Sequence, residues 1–147
     1  MNYKFVQNGT AETYNLAGGE ITRFLLTGSD TENQVSVYDS ILPKGNFAPM
    51  HYHEIDSEIF YIINGEVEFR IEGETIIAKK GDIVMAGAFV KRSFKALTDA
   101  HLIVINTPGG PSEGFLRDIA RLQPGETPSA ELRQKFAEIY KIHIVEN

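Results

Sequence analysis

Between Glu20 and Thr107 the chain is a succession of short apolar-rich runs broken by Gly, Pro, Asn and Asp. The runs are Glu20–Leu26, Gln34–Leu42, Met50–His53, Glu58–Ile63, Glu66–Ile71, Thr75–Lys79, Ile83–Ala86, Val90–Leu97 and His101–Asn106. Short β-branched and aromatic runs at such spacing predict an all-β sandwich or barrel. In Glu66–Ile71 the alternation is strict. Val67, Phe69 and Ile71 fall on one face and Glu66, Glu68 and Arg70 on the other, so this strand has one dry side and one wet side. Asn64-Gly65, lying between two runs, predicts a tight hairpin, because a type I′ turn needs positive φ at both central residues.

After Pro108-Gly109-Gly110-Pro111 the spacing becomes helical. Ser112 is placed to cap a helix carrying Phe115, Leu116, Ile119 and Leu122, which Pro124-Gly125 ends. A second helix is expected from Thr127, with Pro128 at its first position and Leu132, Phe136, Ile139 and Tyr140 along one stripe. The helices are expected on the outside of the barrel or against a partner subunit. The apolar tail Ile142–Val145 reads as a short strand from which a lone chain would gain little, so it points to a homodimer. The organisation expected is one domain, a barrel over 20–107 with a helical extension over 112–147.

Hydrophobic residues at 42% and charged residues at 23% of 147 are the proportions of an ordinary globular chain. Twenty acidic against fourteen basic residues, the latter scattered, give a net charge of −6, which disfavours nucleic-acid backbones and anionic membranes as partners. No run is long and apolar enough to span a bilayer, and Met1–Thr10 lacks a signal-peptide layout, so a cytoplasmic location is expected. Without cysteine, any metal must be held by nitrogen and oxygen ligands.

The segment Gly45–Gly65 concentrates such ligands. His51 and His53 are two apart, so on a strand they direct two imidazoles to one side. Glu58 begins the next run, beyond an Asp-containing turn, where it can present a carboxylate to the same point. Two imidazoles and one carboxylate form a facial triad that leaves coordination positions open. Glu54 and Asp56, in the intervening loop, are second choices for the carboxylate. His101 is a weaker candidate ligand, and His143 reads as a surface or interface residue. With Glu58 facing inward, alternation places Phe60 and Ile62 beside it and Tyr61 opposite. Met50, Phe60, Ile62 and Phe94 are the expected pocket residues, an apolar wall suited to a hydrophobic or aromatic small molecule.

Gly45, five residues, His51-x-His53, four residues, Glu58, six residues and Gly65 resemble the first motif of the cupin superfamily at every fixed position. The resemblance implies a jelly-roll β-barrel with short C-terminal helices, holding one divalent metal (iron, manganese, nickel or zinc) on His51, His53 and Glu58. The second cupin motif departs from the pattern over Gly81–Ala96, where Gly81 alone is kept and the family's fourth ligand falls on Arg92. A guanidinium stays protonated and binds no metal. Arg92 therefore either orients a substrate beside a three-ligand metal, as a catalytic residue, or pairs with Glu58 where a metal would sit.

The Pro108-Gly109-Gly110 segment after the last run, followed by a Phe-bearing helix, is similar to single-domain cupins related to quercetin dioxygenases. That likeness implies a metal-dependent, dioxygenase-like enzyme for an aromatic or apolar substrate. A ligand-binding module without turnover, or a metal-assisted isomerase, are the alternatives.

Overall fold

The computed structural model describes residues 2–145. Eleven strands form two antiparallel sheets that face each other as a jelly roll. They are β1 (Glu12–Asn15), β2 (Ile21–Leu26), β3 (Ser36–Leu42), β4 (Phe47–His53), β5 (Ser57–Asn64), β6 (Glu66–Ile71), β7 (Glu74–Lys79), β8 (Ile83–Ala86), β9 (Arg92–Ala96), β10 (Ala100–Thr107) and β11 (Ile142–Ile144). One sheet runs β1-β2-β3-β10-β5-β8 and the other β11-β4-β9-β6-β7. Each apolar run of the sequence coincides with a strand, and β1 adds an edge strand upstream of Glu20. None of the helices among the described residues is long and apolar enough to cross a membrane.

The core lies between the sheets because the inward positions carry the large apolar side chains. Phe24, Tyr38, Leu42, Phe60, Ile62, Val67, Phe69 and Leu102 are all nearly inaccessible to solvent. Phe60, Phe69 and Phe94 meet at centroid distances of 5.0 to 6.2 Å, in tilted and edge contacts. Val67 and Phe69 face this core, as their alternation requires.

The Asn64-Gly65 expectation needs correction. β5 belongs to one sheet and β6 to the other, so this link crosses between sheets instead of closing a hairpin. Only Gly65 has positive φ, at 88°, and a Cβ there would lie 2.3 Å from the Asp99 carbonyl oxygen. The glycine is fixed by the close approach of the β10 entry, with no type I′ geometry involved.

The C-terminal part also differs from its reading in detail. Helix α1 (Pro111–Ile119) starts after Gly110, with Pro111 in its first turn. Ser112 does not cap it, because its hydroxyl lies 2.7 Å from the Tyr38 hydroxyl inside the molecule. Helix α2 (Ala130–Lys135) starts later than Thr127, capped by Ser129, whose hydroxyl accepts from the Leu132 N–H at 3.1 Å. The chain continues as a π-helical turn, Phe136–Tyr140, that ends at Lys141 with φ 58°.

Phe115 packs edge-on to Phe136 at 4.8 Å, and Tyr140 donates to Asp118 at 2.8 Å, which ties α1 to the π-helical turn. Strand β11 then pairs with β4 of its own chain, Ile142 opposite His53 and Ile144 opposite His51. The tail therefore has its partner within the chain and carries no information about association.

Candidate metal centre

Strand alternation sends His51 and His53 of β4 inward, and Glu58 enters from the start of β5 in the opposite sheet. One ligand atom from each lies within 4.8 Å of the others, a separation one cation can bridge. His53 Nε2 stands 3.9 Å from Glu58 Oε1.

Each imidazole is held from behind. His51 Nδ1 sits 2.8 Å from the Pro49 carbonyl oxygen, and His53 Nδ1 sits 2.9 Å from the Asp56 carboxylate. Acceptors at both Nδ1 atoms fix the N–H there and leave Nε2, with its lone pair, as the ligand atom. Asn106, opposite Glu58 on β10, donates to Asp56 at 2.6 Å and holds that carboxylate in turn. Asp56 is thus an orienting residue behind His53, a role the sequence reading did not give it. Its position three residues beyond His53 was the available signal.

Burial pushes His51 down to about 4, so its imidazole is neutral at physiological pH, the form a metal needs. For Asp56, burial would raise the carboxyl, but the hydrogen bond and charge of His53 and the Asn106 amide outweigh it and hold the group below its ordinary value. Glu58 behaves alike. Burial would raise it, and His53, Arg92 and His51 together hold it low, so it is a carboxylate.

Arg92 is fully buried on β9, directly opposite His51. Its Nε and Nη2 donate to Glu58 Oε1 at 3.3 and 3.1 Å, and its Nη1 donates to the Val90 carbonyl at 2.9 Å. The guanidinium stands where a fourth ligand would approach, and it leaves Glu58 Oε2 without an Arg92 contact. The residues fit a three-ligand divalent site: two oriented imidazoles, one ionised carboxylate and a neighbouring cation that binds the carboxylate without capping both its oxygens.

The site opens into a cavity of about 590 Å³ between the sheets, covered by α1 and the 122–128 segment. Phe60 and Phe94 line it. Ile62 faces the same way but lies one rung deeper, sealed in the core behind Phe60. Met50 is not part of the wall. It alternates with His51 and points outward, where its carbonyl accepts from the Val145 N–H. His101 faces out as well and pairs with Asp39 beside Arg23. Glu54 is bound by His143 at 2.6 Å, and that imidazole stacks on Tyr52 at 4.5 Å, all outside the barrel. Glu20, Thr22 and Ser40 line the cavity too, and the sequence reading missed them. Glu20 and Thr22 occupy the inward positions ahead of Phe24, which was the pattern available to find them.

Residues 38–107 match the family model of the cupin domain. The quercetin 2,3-dioxygenase of Bacillus subtilis is 29% identical over 97 residues, covering 64% of this chain and 28% of that protein. The pectin degradation protein KdgF of Dickeya dadantii is 39% identical over 69 residues, covering 47% of this chain and 60% of that one. The chain thus spans less than two thirds of the length of either relative. KdgF from a Halomonas species superposes with a TM-score of 0.67 at 20% identity, covering 75% of this chain and 99% of that one. A predicted oxalate decarboxylase from Thermotoga maritima gives 0.64 at 23% identity, covering 71% and 99%. These two structures speak to the fold alone. With the motif residues converging inside a jelly roll and the domain model matching from Tyr38 to Thr107, the chain carries a cupin domain over residues 38–107.

Proposed function

We propose that this chain is a metal-dependent, dioxygenase-like enzyme acting on an aromatic or apolar small molecule, with His51, His53 and Glu58 holding one divalent ion. The observation that carries the reading is the pair of imidazoles locked at Nδ1 by Pro49 and Asp56, so that both Nε2 atoms and the Glu58 carboxylate share one point. Iron, manganese, nickel and zinc all accept such ligands, and a bound ion of this kind supplies Lewis acidity and, for the redox-active ones, dioxygen chemistry. The likeness to quercetin 2,3-dioxygenase favours the oxygenase assignment.

The rest is the work of the chain's own residues. Phe60 and Phe94 give the substrate an apolar surface and exclude water. Arg92 holds Glu58 by two hydrogen bonds to one oxygen, which fixes the carboxylate's orientation and places a positive charge beside the reacting end of the cavity. A substrate oxygen that gains negative charge there is stabilised by the same guanidinium.

One observation favours a second reading, a ligand-binding module without turnover. The Arg92–Glu58 pair already sets a fully buried guanidinium against the carboxylate of the triad, so that carboxylate has a cationic partner without a metal. Elemental analysis of the purified chain, beside a His51→Ala, His53→Ala variant, separates the two. About one ion per chain in the parent and none in the variant supports the enzyme. An ion-free parent that stays folded sinks it. Oxygen uptake by the metal-loaded chain with flavonols and simpler phenols then tests the reaction class against a metal-assisted isomerase.

A further inference from the structure

The wall of the cavity away from the triad carries a polar patch of its own. Glu20 immediately precedes β2, and register through β3 and β10 sets it level with the Asn64 end of β5, diagonally across the sheet from Glu58. Glu20 and Thr22 point inward, and Ser40 lies directly opposite Thr22 on β3. Thr22 is 1% and Ser40 5% exposed, and with the partly exposed Glu20 they line the cavity.

Their hydrogen bonding is incomplete. The Thr22 hydroxyl donates to the Glu20 carboxyl, and among the described residues no cation pairs with that carboxyl. The Ser40 hydroxyl has no protein partner among the described residues, and its residue lines the cavity, where a ligand group can reach it. Around them the wall is apolar, with Leu42 and Leu102 flanking Ser40. A carboxyl and a hydroxyl with spare bonding capacity on an apolar surface mark the place where a ligand's polar group belongs.

We propose that Glu20, Thr22 and Ser40 form a second, hydrogen-bonding end of the cavity that reads a hydroxyl on an otherwise apolar ligand and disfavours a carboxylate there. The proposal rests on the reading of the cavity as a small-molecule site and adds the class of ligand, a neutral phenol or alcohol. A ligand hydroxyl donates to the Glu20 carboxyl and accepts from Ser40, completing both. A ligand carboxylate meets an acid that has no cation beside it. Arg92 is held at the triad end by Glu58 and the Val90 carbonyl and is not among the residues lining the cavity around Glu20. Lys44 and Arg133 reach the wall from the loop before β4 and from α2, where solvent reaches both. Burial raises Glu20 to about 7, which gives it a donor as well as acceptors near neutral pH.

The test is calorimetric titration of the full chain with 2-naphthol and with 2-naphthoate, each with and without added zinc. The parent is expected to bind 2-naphthol at least about tenfold tighter than 2-naphthoate, the scale of one or two net hydrogen bonds. Ser40→Ala and Glu20→Leu should each weaken 2-naphthol several-fold, and Glu20→Leu should narrow the preference. Glu20→Gln, which still donates and accepts, should keep 2-naphthol binding and shows that the fold tolerates the site's alteration. A parent that fails to bind 2-naphthol or binds 2-naphthoate as tightly overturns the proposal, and so do folded Ser40→Ala and Glu20→Leu variants that match the parent with both probes. The zinc arms keep the two readings apart: discrimination without zinc uptake preserves this subsite and removes the enzyme, while uptake without discrimination does the reverse.

Discussion

Arg92 Nη2 lies 3.1 Å from Glu58 Oε1, so the position that a fourth metal ligand would take is filled by a cation bound to the third. Arg92→His replaces that guanidinium with an imidazole facing the same point. Zinc or nickel affinity, measured by competition with a chromogenic chelator, is expected to rise by about tenfold or more, since a ligand is gained and a nearby positive charge is removed. An unchanged affinity would mean that the three-residue set is not where the ion binds.

Arg92→Ala deprives Glu58 of the guanidinium that donates two hydrogen bonds to it in a buried setting. The expected loss of stability is about 3 kcal/mol, read from urea denaturation. Excess zinc should restore part of it by binding the folded state alone. A variant as stable as the parent would show that Glu58 does not depend on the guanidinium.

Asp56→Asn keeps the size of the side chain and removes its charge. His53 then has lost the carboxylate that sets its tautomer, and Asn106 donates to a weaker acceptor. Metal affinity is expected to fall by about 10- to 100-fold with little change in the circular dichroism spectrum.

Glu20 carries a pH dependence of definite sign. Its carboxyl stands at about 7 in the folded chain against an ordinary 4.5, so between those values the folded state holds a proton that the unfolded state releases. Stability from this group is fully present below about 4.5 and is lost as pH rises toward 7, a change on the order of 3 kcal/mol at most. In Glu20→Gln that component vanishes. Denaturation midpoints of parent and variant should therefore diverge with rising pH across this window, in the variant's favour. Parallel curves would show that Glu20 ionises as it does in the unfolded chain.

Gly114 is a glycine inside α1, where helix propensity alone would reward alanine by about 1 kcal/mol. A Cβ there, however, would lie 2.3 Å from Tyr140 Cε1. Gly114→Ala is expected to destabilise by about 1 to 3 kcal/mol, through displacement of the ring that bonds Asp118. Thermal unfolding of Gly114→Ala in a Tyr140→Leu background should show the penalty reduced.

The strands were legible in the sequence because alternation and turn residues act locally, and the His51, His53 and Glu58 grouping was legible because a two-residue offset on one strand fixes direction. What failed is what depends on distant partners. Asn64-Gly65 has the composition of a hairpin, but turn chemistry does not say which sheet the next strand joins, and β6 joins the other one. Ser112 has the composition of a cap, but Tyr38 competes for its hydroxyl from across the molecule. Met50 was assigned to the pocket although it alternates with His51. Ile62 was assigned by alternation alone, which gives direction along a strand but not depth within the barrel.

The pairing of Ile142–Ile144 with His51–His53 has a temporal meaning. Synthesis delivers the two imidazoles and the carboxylate early, yet the strand that bears the imidazoles is flanked on both sides only after the residues around Ile144 have emerged. Formation of β11 against β4 is therefore the event that closes the ligand-bearing edge of the sheet.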